Sequence, residues 1–315
     1  MVIKSKSIKI TLAAIVILSV ISILPAVFLY FSPAKKLPAT KTIIDRLAQN
    51  YDQPFEFIVM SDNHNGLIYC DSATLKMIHR INREGRYQKL PIDFLIMAGD
   101  VTFRGSKWDY YVFRRIRSAI KWPVLSAFGN HDNDWPGGIE NFAKYAGERE
   151  YSFADRNSYF IVIDNSEGNL SEEQFASFEK DLKKSQQYGH RFVVLHKPPL
   201  SPAQLDWYRP ELNPWPYRFM KMCEEYKVDI VFTGHVHMFK ELTHNGVKYV
   251  TTGGAGIIQP FIPVSDGGYL HYIVVRVCGD YVDYEVRKVF PPLWEYFTYY
   301  MWKDLFFFIY DTCVS

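Results

Sequence analysis

The stretch Gly129-Asn130-His131-Asp132 decides how the rest of this chain is read. It follows the apolar run Pro123-Val124-Leu125-Ser126-Ala127-Phe128, which has the length and composition of a buried strand. Polar, ligand-capable side chains placed where such a strand ends have little use in a core. The glycine lets the backbone turn sharply, so that Asn130 and His131 can point out of a sheet edge. Taken singly, a Gly-Asn-His-Asp turn is ordinary loop chemistry.

Four other apolar runs end in the same way. Phe55–Met60 leads into Ser61-Asp62-Asn63-His64, and Asp93–Ala98 into Gly99-Asp100-Val101-Thr102-Phe103-Arg104. Arg191–Leu195 leads into His196-Lys197-Pro198-Pro199, and Asp229–Thr233 into Gly234-His235-Val236-His237. In open sheets flanked by helices, ligands bind outside the carboxyl ends of the strands. Parallel pairing would therefore gather all five groups at one rim.

The ordered set Asp-x-His, Gly-Asp, Gly-Asn-His-Asp, His and Gly-His-x-His resembles the calcineurin-like metallophosphoesterases. The resemblance runs from about Phe55 to about His237, and it implies an α/β fold: a four-layer αββα sandwich of two mixed β-sheets. Seven donors (Asp62, His64, Asp100, Asn130, His196, His235 and His237) are too many for one tetrahedral ion and suit two ions sharing a ligand. By the resemblance, Asp62, His64, Asp100 and His237 hold one divalent cation. Asp100, Asn130, His196 and His235 hold the other. Both are of the manganese, iron or zinc class. The implied activity is hydrolysis of a phosphomonoester, phosphodiester or diphosphate bond by hydroxide shared between the ions. His131 would then serve the leaving oxygen, and adjacency would let Asp132 orient it. Arg104 sits where some phosphoprotein phosphatases of the family carry a phosphate-binding arginine, although their preceding aspartate is Phe103 here. Purple acid phosphatases place an iron-binding tyrosine at the position of Phe103, so no iron–tyrosinate centre is expected. Lys197 reads as a solvated neighbour, and His79, His190, His244 and His271 as structural or exposed.

Composition sets the outer limits. A chain of 315 residues, 48% hydrophobic and 17% aromatic, can bury a large core. A formal net charge of +2 gives no electrostatic case for nucleic acid. The four cysteines, Cys70, Cys223, Cys278 and Cys313, form no Cys-x-x-Cys pair and read as free thiols.

Five segments are expected. Residues 1–9 are basic, through Lys4, Lys6 and Lys9. Residues 10–31 carry no charge and are long enough to span a bilayer as an uncleaved single-pass anchor. A cleaved signal peptide would have a shorter apolar region and a small-residue site. The N-terminal lysines favour an extracytoplasmic catalytic domain, against Lys35, Lys36 and Lys41 on the other flank. Residues 32–53 form a linker with a short helix near 42–49, and 54–289 the catalytic domain. Helices are expected from Asp71 to Arg83, from 106 to 120, from Ser171 (a capping box with Gln174) to 185, and over 217–226. The runs 249–252, 269–277 and 281–289 are expected as strands of a second sheet, and the proline-rich loop 199–216 as a rim of the pocket. The aromatic segment 290–315 could lie at a membrane interface, pack on the domain or make an oligomer contact. The expected substrate is a phosphorylated small molecule or a lipid-linked phosphate. A non-catalytic scaffold of the same fold and a nuclease of the superfamily are the rival readings.

Overall fold

The computed structural model describes residues 37–48, 53–86, 90–203, 208–258 and 262–289, with eight helical positions between 17 and 31. The expected anchor falls mostly outside these residues and the aromatic segment 290–315 wholly so. Among the described residues no helix is long and apolar enough to cross a membrane.

Among the described residues from 37 onward, six α-helices and eleven strands follow one another. They are α1 (Thr40–Leu47), β1 (Phe55–Met60), α2 (Ile68–Glu84), β2 (Ile92–Ala98), α3 (Lys107–Ser118), β3 (Val124–Ala127) and α4 (Gly138–Tyr145). There follow β4 (Tyr151–Asp155), β5 (Ser158–Val162), α5 (Glu172–Ser185), β6 (His190–Val194), α6 (Trp215–Glu225) and β7 (Ile230–Thr233). The chain of strands closes with β8 (Phe239–His244), β9 (Val247–Thr252), β10 (Leu270–Cys278) and β11 (Tyr281–Val289). The first sheet runs β11-β10-β1-β2-β3 and the second β4-β5-β6-β7-β9-β8. Within the first, β1, β2 and β3 are parallel, while β10 joins β1 antiparallel. Within the second, β5, β6, β7 and β9 are parallel.

This corrects one expectation. The strands after residue 247 do not share a sheet: β9 extends the second, and β10 and β11 complete the first. The run over β10 could be read as a strand, but which sheet takes it depends on which edge is open. Here β1 has β2 on one side and needs β10 on the other to satisfy its backbone groups.

Strand alternation builds the layers. On β1, Ile58 and Met60 face a cluster with Met77, Ile78 and Ile81 of α2 and Phe113 and Ile116 of α3. Phe57 and Val59 face the opposite way, into a cluster shared with β5, β6 and β7 of the second sheet. Tyr159, Val193 and Val231 on the far face of that sheet pack on Phe175, Phe178 and Phe219 of α5 and α6. Helix, sheet, sheet and helix thus stack in order. At the centre the Phe57 ring lies 5.4 Å from Phe94, 5.1 Å from Phe160, 5.2 Å from Phe192 and 6.1 Å from Phe232.

The capping box read at Ser171 forms, a second at Ser106 was not read from the sequence, and a cap at Asp71 does not form. Ser106 with Asp109, and Ser171 with Gln174, form reciprocal capping boxes on α3 and α5. Asp71 does not cap α2, which begins three residues earlier at Ile68. Its buried carboxylate instead reaches back to the Gly66 backbone N–H (3.1 Å) and the Asn65 amide (3.1 Å), and it accepts the Tyr30 hydroxyl at 2.5 Å.

Candidate metal centre

The five polar strand ends meet at one place, but from two sheets. Asp62 and His64 follow β1, Asp100 follows β2, and Asn130 and His131 follow β3. His196 follows β6, and His235 and His237 follow β7. Each sheet is parallel in this region, and the sandwich brings the two sets of carboxyl ends together.

The backbone is bent to aim these side chains. Asp62, His64, Asp100 and His235 all have left-handed φ, at 61°, 46°, 49° and 66°. Non-glycine residues in such conformations cost about 1–3 kcal/mol each and collect at functional sites. Glycines make the remaining room. A Cβ on Gly99, whose φ is +93°, would lie 2.4 Å from His196 Nδ1. One on Gly129 would lie 2.2 Å from Asp100 Oδ1, and one on Gly234 2.4 Å from Asp62 Oδ2.

Three groups of donor atoms lie within 4.8 Å of one another: Asp62/His64/His237, His64/Asp100/His131 and Asp100/His196/His235. Asp100 belongs to two of them. His64 Nε2 and His237 Nε2 face each other at 3.2 Å, and His237 Nε2 lies 3.2 Å from Asp62 Oδ1. Asp100 Oδ2 and His196 Nε2 are 3.0 Å apart without hydrogen-bond geometry. Those two atoms are buried polar atoms with no hydrogen bond, as is Asn130 Oδ1. Leaving such atoms unpaired costs about 1–3 kcal/mol apiece, so the meeting of Asp100 Oδ2 and His196 Nε2 fits a cation. The donor set, imidazole with carboxylate and amide oxygen, fits divalent transition metals.

Surrounding bonds fix three of the donors, His196, Asp62 and Asp100. His196 Nδ1 donates to the Ala98 carbonyl at 3.0 Å, which turns Nε2 inward. The His235 backbone N–H donates to Asp62 Oδ2 at 3.0 Å, and that of His131 to Asp100 Oδ1 at 2.9 Å. Burial alone would raise both carboxyls, yet the facing histidines hold Asp62 and Asp100 well below the ordinary range. Burial pushes His64 down to about 4 and His235 to about 3, so both offer neutral nitrogen lone pairs. His196 is also buried, but Asp100 outweighs this and raises it to about 9. A cation bound at Nε2 would displace that proton.

The structure redistributes the expected supporting roles. Asp132 does not reach His131. Its carboxylate accepts from the backbone N–H groups of Thr102 (2.9 Å) and Gly129 (3.0 Å) and from the Thr102 hydroxyl (2.7 Å). It therefore ties the loop after β2 to the turn after β3. The acid beside His131 is Asp134, 2.8 Å from Nδ1, with the Phe103 carbonyl at 3.1 Å. Burial would lower His131, but Asp134 and Asp100 raise it to about 9. Within this 3-10 turn the next residue points inward and the third points back along the surface, which adjacency could not reveal. Arg104 lies over the Phe103 ring at 5.0 Å, outside the donor groups. Phe103 in turn stacks on His131 at 6.3 Å.

Two contributors escaped the sequence. Asn165, at the end of the run through β5, accepts from the backbone N–H groups of His196 and Lys197, each at 3.0 Å. Its position at a strand's carboxyl end was the available signal. Lys197 is half-buried rather than solvated, and it lines a cavity of about 530 Å³ beside His235. Tyr208, Arg209, Leu212 and Trp215 form another wall, so the loop expected as a rim does border the site. The four unassigned histidines lie apart: His79 and His244 are exposed, while His190 and His271 are buried.

The family pattern described as calcineurin-like phosphoesterase matches residues 55–239, more than half of the chain. The protein belongs to this metal-dependent family. It is 26% identical over 213 residues to probable inactive purple acid phosphatase 27 of Arabidopsis thaliana, covering 52% of this chain and 35% of that protein. It is 25% identical over 174 residues to a probable cyclic nucleotide phosphodiesterase of Vesicomyosocius okutanii, covering 53% of this chain and 71% of the relative. The chain thus spans about a third of the purple acid phosphatase's length. The solved structure of GAP50, the anchor in the inner membrane complex of Plasmodium, superposes with a TM-score of 0.59 at 13% identity. That comparison covers 75% of this chain and 85% of the other, and it concerns the fold.

Proposed function

We propose that this protein is a metal-dependent phosphoesterase with a two-cation centre of the manganese, iron or zinc class. One observation carries the reading: two donor groups share Asp100, and where they meet the buried atoms Asp100 Oδ2 and His196 Nε2 make no hydrogen bond. Asp62, His64, Asp100 and His237 would hold one ion, and Asp100, Asn130, His196 and His235 the other. When bound, such a pair lowers the pKa of water towards about 7 and offsets charge on phosphoryl oxygens. The chain's own groups do the rest. His131 stands at the edge of the centre, its ring 4.8 Å from His64. With Nδ1 turned to Asp134 and the Phe103 carbonyl, Nε2 remains to hold a proton for the leaving oxygen. General acid catalysis of this kind is worth about 10²–10⁴-fold.

A scaffold of the same fold is the rival, and the names of two similar proteins, one "probable inactive" and one an anchor, give it weight. The complete donor set together with His131 supports the enzyme. Hydrolysis of p-nitrophenyl phosphate or its bis-ester should be chelator-sensitive and abolished by Asp100→Ala. Activity indifferent to both, or none at all in metal-loaded protein, would remove this reading.

We further infer that residues 10–31 anchor the protein in a membrane, with the catalytic domain extracytoplasmic and a phosphorylated small molecule or lipid-linked phosphate as substrate. Support comes from the uncharged run and from Tyr30, whose hydroxyl binds Asp71 and whose ring meets Trp108 edge-on at 5.5 Å. Removal of residues 1–36 should release the protein from the membrane fraction; continued sedimentation with vesicles would count against the anchor.

A further inference from the structure

The cavity beside His235 holds a cation that the proposed chemistry does not use. The Lys197 backbone is pinned on both sides by Asn165, which accepts from its N–H at 3.0 Å and donates to its carbonyl at 2.7 Å. The side chain is left to reach past Gly168, with Nζ 3.6 Å from where a Cβ on that glycine would sit. Among the described residues Nζ makes no ion pair and no hydrogen bond. Glu167 lines the same cavity but stands beyond ion-pair distance. Asp100, Asp134, Asp164 and Glu167 attract the ammonium from beyond ion-pair distance, and at half burial it keeps a desolvation cost that an anion in direct contact would offset.

Placement suggests which anion. Lys197 follows His196 directly, and the cavity runs from His235 towards Arg209, Asn213 and Trp215. A phosphate at the metal centre would therefore have Lys197 at its flank rather than among its ligands. Tyr208 closes the inner end, its ring 5.0 Å from His235 and its hydroxyl bonded to the Pro198 carbonyl. At about 530 Å³ the space is within the range of small-ligand sites.

We propose that this cavity is a subsite for a second phosphate, and that the substrate is an organic diphosphate whose inner phosphate lies against Lys197. The inference rests on the phosphoesterase reading and narrows it. Hydrolysis breaks the bond between the terminal phosphorus and the bridging oxygen. The oxygen of water stays on the terminal phosphate, and the bridging oxygen leaves on the inner phosphate with the proton held by His131, which a proton of that water then replaces.

The test is binding of adenosine diphosphate and adenosine monophosphate to the full-length, metal-loaded protein, followed by calorimetry under non-hydrolysing conditions. The native protein should favour the diphosphate by about tenfold, as a charge-assisted contact would give. Lys197→Met, which keeps the aliphatic stem, should erase the preference, and Lys197→Arg should retain it. Equal affinities in the native protein, no binding of either nucleotide, or an unchanged ratio in Lys197→Met with native melting would each overturn the proposal. The two readings fail separately. Hydrolysis of p-nitrophenyl phosphate without diphosphate preference sinks only the subsite, and preference without hydrolysis sinks only the catalysis.

Discussion

Three glycine substitutions separate backbone strain from crowding at the metal centre. Gly99 has φ +93°, and an added Cβ would sit 2.4 Å from Nδ1 and 2.6 Å from Cγ of His196. That imidazole is fully buried and tied to the Ala98 carbonyl, so it has nowhere to yield. An L side chain in left-handed backbone costs about 1–2 kcal/mol, and crowding a packed interior about 1–3 kcal/mol. Up to about 1 kcal/mol returns through the stiffer unfolded chain. Gly99→Ala should therefore lose roughly 1–5 kcal/mol, or about 2–20 °C in melting temperature for a domain of this size. Gly246, at the tip of the β8–β9 hairpin, has φ +84° with nothing within 4 Å of an added Cβ. Gly246→Ala carries the strain alone and should lose at most a few degrees. Gly129→Ala carries crowding alone, 2.2 Å from Asp100 Oδ1 and 2.3 Å from the Asp100 nitrogen. Melting with and without chelator, together with metal content after dialysis, reads out all three. Gly99→Ala and Gly129→Ala should weaken metal binding by about 10–100-fold, as loss of ligand support does, while Gly246→Ala keeps it. Equal melting losses and full metal content in Gly99→Ala and Gly246→Ala would refute the account.

Three further outcomes follow from the same geometry. Phe57→Ala should cost about 3–5 kcal/mol in chemical denaturation, because its buried ring meets five others. Burial pushes His271 down to about 4, so it is held neutral in the fold. Its contribution is present above the unfolded value near 6.5 and is lost as pH falls towards 4, at about 1.4 kcal/mol per unit. His271→Gln should flatten that part of the native stability curve, and an unchanged slope would contradict it. Asp134→Asn should move the alkaline limb of the pH–rate profile to lower pH by less than about one unit, since Asp134 raises His131 but is half-exposed. Asp132→Asn should act on melting rather than on that limb.

How legible the molecule was in its sequence differs by level. The strand ends carried the candidate site because a polar cluster after a buried run has few other uses, and Asp62, His64, Asp100, His196, His235 and His237 lie in overlapping donor groups. The division of those strands between two sheets was not legible, since hydrophobic alternation reports burial and not neighbours. Strand β8, with its outer positions exposed, gave no apolar run to notice. The direction of Asp132 was hidden because a 3-10 turn follows Asn130, and one residue there changes the face. Lys197 looked solvated because nothing local to it shows the loop from Tyr208 to Trp215 folding over.

The phenylalanine layer between the sheets has a consequence for ion choice. The loops after one sheet carry Asp62, His64 and Asp100, and those after the other His196, His235 and His237, so the thickness of that aromatic filling sets how far apart the two halves of the candidate site stand. A thinner spacer at Phe57, Phe160 or Phe192 would draw the two jaws together and shift the preferred cation radius with every donor atom left in place.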